Sequence, residues 1–218
     1  MKQPLTFLVI VFILFTSAAC STQSLQATNL PASSGNTVLF QDDFSDPSSG
    51  WVTVHEPDQI MAYENGGFRI WVNKPNFDYW SVPDLRFADA HIEVDVTKIG
   101  GPDDNDIGLI CRYKNSDNFY GFLISSDGYY GISERQNGEH QVIGMDGMKY
   151  SSVIHTGNAK NHIRADCVGN LLTLYVNGVK LVEVEDSTLA VGDVGILAGS
   201  FSQPGVDILF DNFIVTKP

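Results

Sequence analysis

The fold is decided by the stretch NHIRADCVGNLLTLYVNGVKLVEVED, residues 161–186, and by GDVGILAGSFSQPGVDILFDNFIVTKP, residues 192–218. Apolar residues recur here at every second position, the spacing that places them on one face of a β-strand. They are Leu172, Leu174 and Val176 and, with one irregularity, Ile208, Phe210, Phe213 and Val215. Asn177-Gly178 separates two such runs, and both residues tolerate the positive φ angles of a type I′ turn. The pattern predicts a β-hairpin within a C-terminal ladder of strands.

Earlier segments repeat this pattern of short strands and turns. AHIEVDVTK, residues 90–98, alternates apolar with polar side chains, so we expect a strand that is solvated on one face. The segments IGLICRY (107–113) and NFYGFLI (118–124) are further predicted strands, and Asn137-Gly138 marks another hairpin tip. No segment shows convincing amphipathic helical spacing. The sequence therefore predicts an all-β sandwich in one domain, residues 37–218.

The N-terminal segment has the features of an export signal. Residues 1–19 carry a basic Lys2, a short apolar run and then small residues, which together predict a cleaved signal peptide. Cys20 follows directly and resembles the acylated cysteine of the bacterial lipobox, although Ser17 stands where an aliphatic residue is usual. We expect lipid attachment at Cys20, a flexible tether over residues 20–36, and an exported lipoprotein anchored on the extracytoplasmic side of a membrane. The alternative is an ordinary secreted protein with a chance cysteine.

The net charge argues against one class of partner, and the cysteine count bears on a disulfide. The formal net charge is −13, and it becomes −14 when Lys2 is lost with the signal. Such a surface repels phosphate backbones, which argues against nucleic acid as a partner. Cys111 and Cys167 remain as an even pair in an oxidising compartment. They predict either a disulfide or two buried free thiols.

The order of the segments resembles the concanavalin A-like lectin/glucanase superfamily, and more narrowly its laminin G-like and 3-keto-disaccharide-hydrolase-like domains in exported bacterial proteins. The resemblance rests on a DDF-x-D-x(4)-W opening from Asp42 to Trp51, on GGFRI, IEVDV, GLICRY and NFYGFLISSDGYYGI, and on the closing VGILAG and FDNFIV. It covers Val38 to Val215. The resemblance implies a jelly roll of two stacked, curved antiparallel sheets with a concave face that often binds glycans.

The same resemblance implies a structural calcium site. In several members of the superfamily, Ca²⁺ ties the first strand to the last through carboxylates and backbone carbonyls. Asp43, the carbonyl of Gly67 and Asp211 fall at matching places and would supply the hard oxygen ligands that calcium prefers. The alternative is that both carboxylates accept hydrogen bonds within their turns.

The resemblance also allows a test for glycoside hydrolysis. Retaining hydrolases of this fold carry a Glu-x-Asp-x-Glu strand, because the reaction needs two carboxyl groups on one face. Glu93-Val94-Asp95 resembles the first half, but Thr97 occupies the third position. Glu134 and Glu139 do not reproduce the spacing, and His91 adds no recognisable set. The sequence carries no catalytic residue that we would assign.

We therefore expect a surface-tethered, non-catalytic domain that binds a carbohydrate or cell-surface glycan. Trp71, Tyr79 and Trp80 are the candidates for stacking on sugar rings, and Arg112 and Tyr130 for hydrogen bonds to hydroxyl groups. Two alternatives stay open: a glycoside hydrolase-type enzyme acting on a modified disaccharide or polysaccharide, and a structural envelope or adhesion protein.

Overall fold

The computed structural model describes residues 37–218, which contain sixteen β-strands and no helix that could cross a membrane. The predicted signal peptide, the lipid attachment at Cys20 and the tether lie outside the described residues. The strands are β1 Val38–Asp42, β2 Val54–Glu56, β3 Gln59–Glu64, β4 Gly67–Val72, β5 Phe77–Ser81, β6 Ala90–Gly100, β7 Asn105–Asn115, β8 Asn118–Ile124, β9 Tyr129–Gln136, β10 Glu139–Val142, β11 Lys149–Tyr150, β12 Lys160–Val168, β13 Leu171–Val176, β14 Val179–Glu185, β15 Asp193–Ser200 and β16 Val206–Thr216.

The strands form two antiparallel sheets that enclose one core, which confirms the predicted all-β sandwich. The nine-stranded sheet has the order β14-β13-β12-β6-β16-β4-β3-β2, with β1 paired to β16. The seven-stranded sheet has the order β10-β9-β8-β7-β15-β5, with β11 paired to β9. Within each sheet, residues of alternate parity face the other sheet and form the apolar core.

The closing ladder has the predicted local geometry. Asn177 and Gly178 both have positive φ angles, 50° and 81°, and join β13 to β14 as the type I′ turn requires. The irregularity in β16 is a register shift between Asp211 and Ile214, with Asn212 at a φ of 53°. This bulge returns Phe213 to the core beside Phe210, because one extra residue restores the inward parity.

The disulfide between Cys111 and Cys167 is present and links β7 in one sheet to β12 in the other. Both cysteines are 1% exposed and belong to the core cluster between the sheets. The prediction of a bond is confirmed, and the alternative of two free thiols is wrong. The bond fixes the two layers to each other near the middle of the seven-stranded sheet.

Candidate functional site

The solvent-facing side of the seven-stranded sheet carries a second apolar cluster, separate from the core. Ile110, Phe119, Leu123 and Leu197 are buried in it, and Trp80, Tyr113 and Met148 pack against them. We call this surface, together with Arg135, the aromatic face. It exists because β7 and β8 are apolar on both sides rather than alternating, so that Ile110 and Leu123 point away from the core that contains Leu109 and Phe122.

Register places the residues of the aromatic face in rows across the sheet. Leu197 pairs with Trp80 on one side and with Gly108 on the other, and Leu123 pairs with Gly108 and then with Gly131. Because the glycines have no side chain, neighbouring apolar groups lie over them: Leu123 Cδ2 is only 2.9 Å from where a Cβ on Gly108 would stand. Each row therefore alternates between a large apolar side chain and a glycine, so the surface of the aromatic face is uneven.

Three side chains converge at one part of this face. The rings of Trp80 on β5 and Phe119 on β8 have centroids 5.3 Å apart, although β15 and β7 separate their strands. Neighbouring strands lie about 4.8 Å apart, so the two side chains lean towards each other across the sheet. Arg135 on β9 extends over both rings, with its Cζ 5.5 Å from the Trp80 centroid and 5.9 Å from that of Phe119. Within residues 37–218, its buried Nε has no hydrogen-bond partner.

Carboxyl groups lie at the other end of the same face. Asp78 is two residues before Trp80 on β5, and Asp106 precedes the core residue Ile107 on β7, so both lie on the side of the sheet away from the core. Burial raises the pKa of Asp106 to about 8, with further contributions from Asp78, Asp104 and Asp127. Burial also raises the pKa of Asp78, and the charges of His140 and Arg135 offset part of that shift. We call Asp78 and Asp106, with Asp104 and Asp127 beside them, the acidic end.

The structure separates the three predicted stacking residues. Trp80 lies on the aromatic face. Tyr79, its neighbour on β5, points the opposite way and belongs to the core, where it is 9% exposed. Trp71 lies on the solvent-facing side of the nine-stranded sheet, because its neighbours Ile70 and Val72 are core residues. Trp80 is therefore the only one of the three on the aromatic face.

Arg112 and Tyr130, the predicted hydrogen-bonding residues, also lie off that face. Arg112 is 2% exposed, and its guanidinium donates to the carbonyls of Ala88, Gly169 and Leu189. Strict alternation would have put Arg112 on the same side as Ile110, but the strand is bulged between Cys111 and Asn115 and Arg112 has a φ of 53°. Tyr130 on β9 is partly buried and packs against the core.

The residues predicted to hold calcium make hydrogen bonds in their own turns. Asp43 Oδ1 accepts from the backbone N and the Oγ of Ser45, at 3.0 and 2.6 Å. Asp211 Oδ1 accepts from the backbone N of Asn212 at 2.7 Å, and Gly67 lies on β4 against the backbone of Phe210. No three acidic, histidine or cysteine side chains converge on a metal position in the described part of the chain. Turn hydrogen bonds account for both carboxylates, and calcium here stays a prediction.

The residues weighed for hydrolysis lie away from the aromatic face. Glu93 and Asp95 are on the solvent-facing side of the nine-stranded sheet, where His162 contacts both: its Nε2 is 3.1 Å from Glu93 Oε2, and its Nδ1 is 2.9 Å from Asp95 Oδ1. His91, on the same side, is 2.6 Å from Asp166. Glu134 is 3% exposed and shares the inward parity of Ile132 on β9. These groups contact neighbouring polar side chains or are buried.

Sequence reasoning missed Phe119, Arg135, Asp78 and Asp106. One signal was available for Phe119: NFYGFLI is apolar at consecutive positions rather than at every second one, which indicates a strand with apolar groups on both faces. Asp78 and Asp106 are 28 residues apart in sequence and meet only because β5 and β7 both pair with β15. No pattern in the sequence predicted that these two residues would be close together.

Comparisons with known proteins give the fold. No protein-family model matches the chain. No curated protein matches its sequence. Among solved structures, the carbohydrate-binding module CBM66 from Bacillus subtilis is 19% identical with a TM-score of 0.64, over 78% of this chain and 96% of the module. A Bacillus subtilis protein of unknown function with a galectin-like fold is 11% identical with a TM-score of 0.58, over 83% of this chain and 96% of that one.

A third similar structure belongs to a larger protein. The GH43 protein BlXynB from Bacillus licheniformis is 17% identical with a TM-score of 0.58, over 81% of this chain but only 39% of its own. At these identities the likeness concerns the fold, and function has to be argued from the surface described above.

Proposed function

We propose that this protein is a glycan-binding domain that uses the aromatic face, and that a lipid on Cys20 holds it at the extracytoplasmic side of a membrane. The observation that carries the proposal is the Trp80–Phe119–Arg135 arrangement on the solvent-facing side of the seven-stranded sheet. The anchor rests on the sequence alone.

The chemistry of this arrangement suits a sugar. A pyranose ring presents C–H groups on its faces, which pack on an indole or phenyl ring, and hydroxyl groups at its edge, which accept hydrogen bonds. Trp80 and Phe119 supply the apolar surface, and Arg135 Nε–H is a buried donor without a partner in the described chain. A buried donor left unpaired costs about 1–3 kcal/mol, so an acceptor from a ligand would stabilise it.

The similar structures support the same proposal. One of them is described as a carbohydrate-binding module and another as a GH43 protein, so this fold occurs in proteins connected with glycans. Neither description identifies the glycan that this chain would bind.

A glycan array with two matched tryptophan variants tests the proposal. We expect the protein of residues 20–218 to bind at least one glycan class, and Trp80→Ala to reduce that binding about tenfold or more, since stacking and burial at one aromatic residue contribute at least 1–2 kcal/mol. Trp71→Ala is the control, because it removes the same side chain from the opposite surface of the sandwich. Background binding, or equal effects of the two variants, would contradict the proposal. For the anchor, mass spectrometry of the N-terminal peptide should find an acylated Cys20.

One observation favours the hydrolase alternative. Asp78 and Asp106 are two carboxyl groups on the strands that flank β15, on the same solvent-facing side of the sheet, and glycoside hydrolysis uses a carboxyl pair whose members differ in pKa. Enzymatic release of reducing sugar from an oligosaccharide bound in the array, with loss of release in Asp106→Asn, would support this alternative. An unchanged oligosaccharide after long incubation would exclude it for that ligand.

A further inference from the structure

The acidic end has the geometry of a binding subsite rather than of a solvated turn. Gly199 on β15 pairs with Asp78 on β5 and with Asp106 on β7, so the two carboxyl groups flank a position without a side chain. A Cβ on Gly199 would overlap Asp78 Oδ1 and would stand 3.3 Å from Asp106 Cβ. The Asp78 carboxyl therefore lies over Gly199 and beside Asp106, at the end of the aromatic face.

Asp106 lacks a hydrogen-bond partner at this position in the described residues. It is 6% exposed, and its Oδ1 has no hydrogen-bond donor among the described residues. Neither Asp78 nor Asp106 forms a salt bridge with any lysine, arginine or histidine of residues 37–218, whereas the half-buried or buried acids Asp95, Asp166 and Asp207 each contact a basic side chain. Leaving a buried acceptor unpaired costs about 1–3 kcal/mol, so the arrangement calls for a donor from outside the chain.

The local charge favours a donor that is also positive. Burial raises the pKa of Asp106, and the charges of Asp78, Asp104 and Asp127 raise it further. His140 and Arg135 act on Asp78 in the opposite direction, but neither forms a salt bridge with it in the described residues. A divalent cation would need several convergent ligands, and no three such side chains converge in the described chain. An ammonium group needs fewer oxygen ligands than a divalent cation, because it makes only three directed hydrogen bonds.

An aromatic side chain next to the acidic end suits the ring of a sugar. Trp80 is two residues from Asp78 on the same side of β5. Tyr129 on β9 and Tyr150 on β11 are further exposed aromatic residues of the same sheet, at 43% and 61%, and their rings contact each other. Exposed aromatic groups on a surface that also carries buried carboxyl groups are typical of a binding site.

We infer that the acidic end is a subsite for an amino-sugar residue with a free, protonated amine, whose ammonium group donates to Asp106 and Asp78 while its ring packs on Trp80. This inference rests on the proposed glycan-binding function of the aromatic face and names the class of sugar at one end of it. It distinguishes an amino sugar from its N-acetylated form, because acetylation removes the charge and two of the three donors.

The test uses matched sets of oligosaccharides whose members differ only in the group at C2, which is a hydroxyl, an N-acetyl group or a free amine. One such set is the β-1,4-linked hexamers of glucose, N-acetylglucosamine and glucosamine. We expect the array to show preference for the amine within at least one set, and isothermal titration to give about tenfold tighter binding for that member, the usual gain from a charge-assisted hydrogen bond. Asp106→Asn should abolish the preference and leave binding of the hydroxyl form in place. Asp78→Asn should reduce it.

Asp117→Asn is the matched control for charge. Asp117 is exposed in the turn between β7 and β8, at the opposite end of the same sheet, and the substitution replaces the same side chain by the same amide. An unchanged preference in Asp117→Asn supports the subsite. Trp80-dependent binding with equal affinity for the three members of every set would overturn the subsite and leave the proposed function standing. Absence of Trp80-dependent binding to any glycan would overturn both.

Discussion

The guanidinium of Arg135 lies over the indole ring of Trp80, with its Cζ 5.5 Å from the ring centroid. The two residues come from strands that are four positions apart in the seven-stranded sheet, β9 and β5, and meet above Phe119. A cation above an aromatic face is attracted by the ring quadrupole by about 0.5–2 kcal/mol, depending on solvation. The contact therefore holds Trp80 in one orientation before any ligand binds.

Arg135→Gln should weaken glycan binding without unfolding the sandwich. The change removes both the charge that orients Trp80 and the unpartnered Nε–H donor, so we expect a loss of about three- to thirtyfold in affinity, measured by isothermal titration. Arg86→Gln is the control, since Arg86 is exposed outside the strands. An affinity that Arg135→Gln leaves unchanged would contradict a role for the Trp80–Arg135 contact.

Loss of the disulfide should destabilise the fold. Cys111 and Cys167 are 56 residues apart in sequence and join the two sheets, so the bond restricts the unfolded chain strongly. The double variant Cys111→Ala/Cys167→Ala should lose about 2–5 kcal/mol of unfolding free energy, measured by urea denaturation. A reducing agent should lower the midpoint of the natural protein but leave the double variant unaffected. Equal stability of the two proteins would argue that the bond adds nothing to the core packing.

Arg112→Lys should reduce stability rather than ligand affinity. The guanidinium is itself buried and satisfies carbonyls from three separate segments, of which that of Leu189 is buried, and a lysine at the same place would leave some of these acceptors unpaired. We expect a loss of about 2–4 kcal/mol in unfolding free energy, with the glycan affinity of the folded fraction preserved. Arg86→Lys provides the matched exposed control. Selective loss of binding at unchanged stability would instead support a direct ligand contact.

Stability should fall as the pH rises from about 4 to about 8. Burial raises the pKa of Asp106 from 3.8 to about 8, so over this range the folded protein keeps a proton that the unfolded chain has lost. The state that binds more protons is favoured at low pH, and each unit of difference in pKa corresponds to about 1.4 kcal/mol. Urea midpoints at pH 5 and pH 8 should therefore differ less for Asp106→Asn than for the natural protein. Asp117→Asn should retain the full difference, and an equally steep dependence in Asp106→Asn would refute the assignment.

The two tryptophans predicted for sugar stacking show what a single sequence decides. Period-two alternation established that Phe68, Ile70 and Val72 share one side of β4 and that Trp71 takes the other, and the structure agrees. Residues 73–87, by contrast, contain two prolines and have the composition of a loop, so the sequence did not predict strand β5 there. It therefore did not say that Tyr79 would face the core and Trp80 the solvent, since both side chains are large and apolar enough to be buried.

The sequence predicted the fold class, because alternating apolar residues and Asn-Gly turns depend only on residues that are close together in the chain. The hairpin at Asn177-Gly178, the bulge in β16 and the solvated face of β6 were predictable for that reason. Only the tertiary structure brought Asp78 beside Asp106 and Arg135 over Trp80. Their proximity depends on the order of strands β9-β8-β7-β15-β5, and strand order follows from how whole sheets pack, a property that no local stretch of the chain contains.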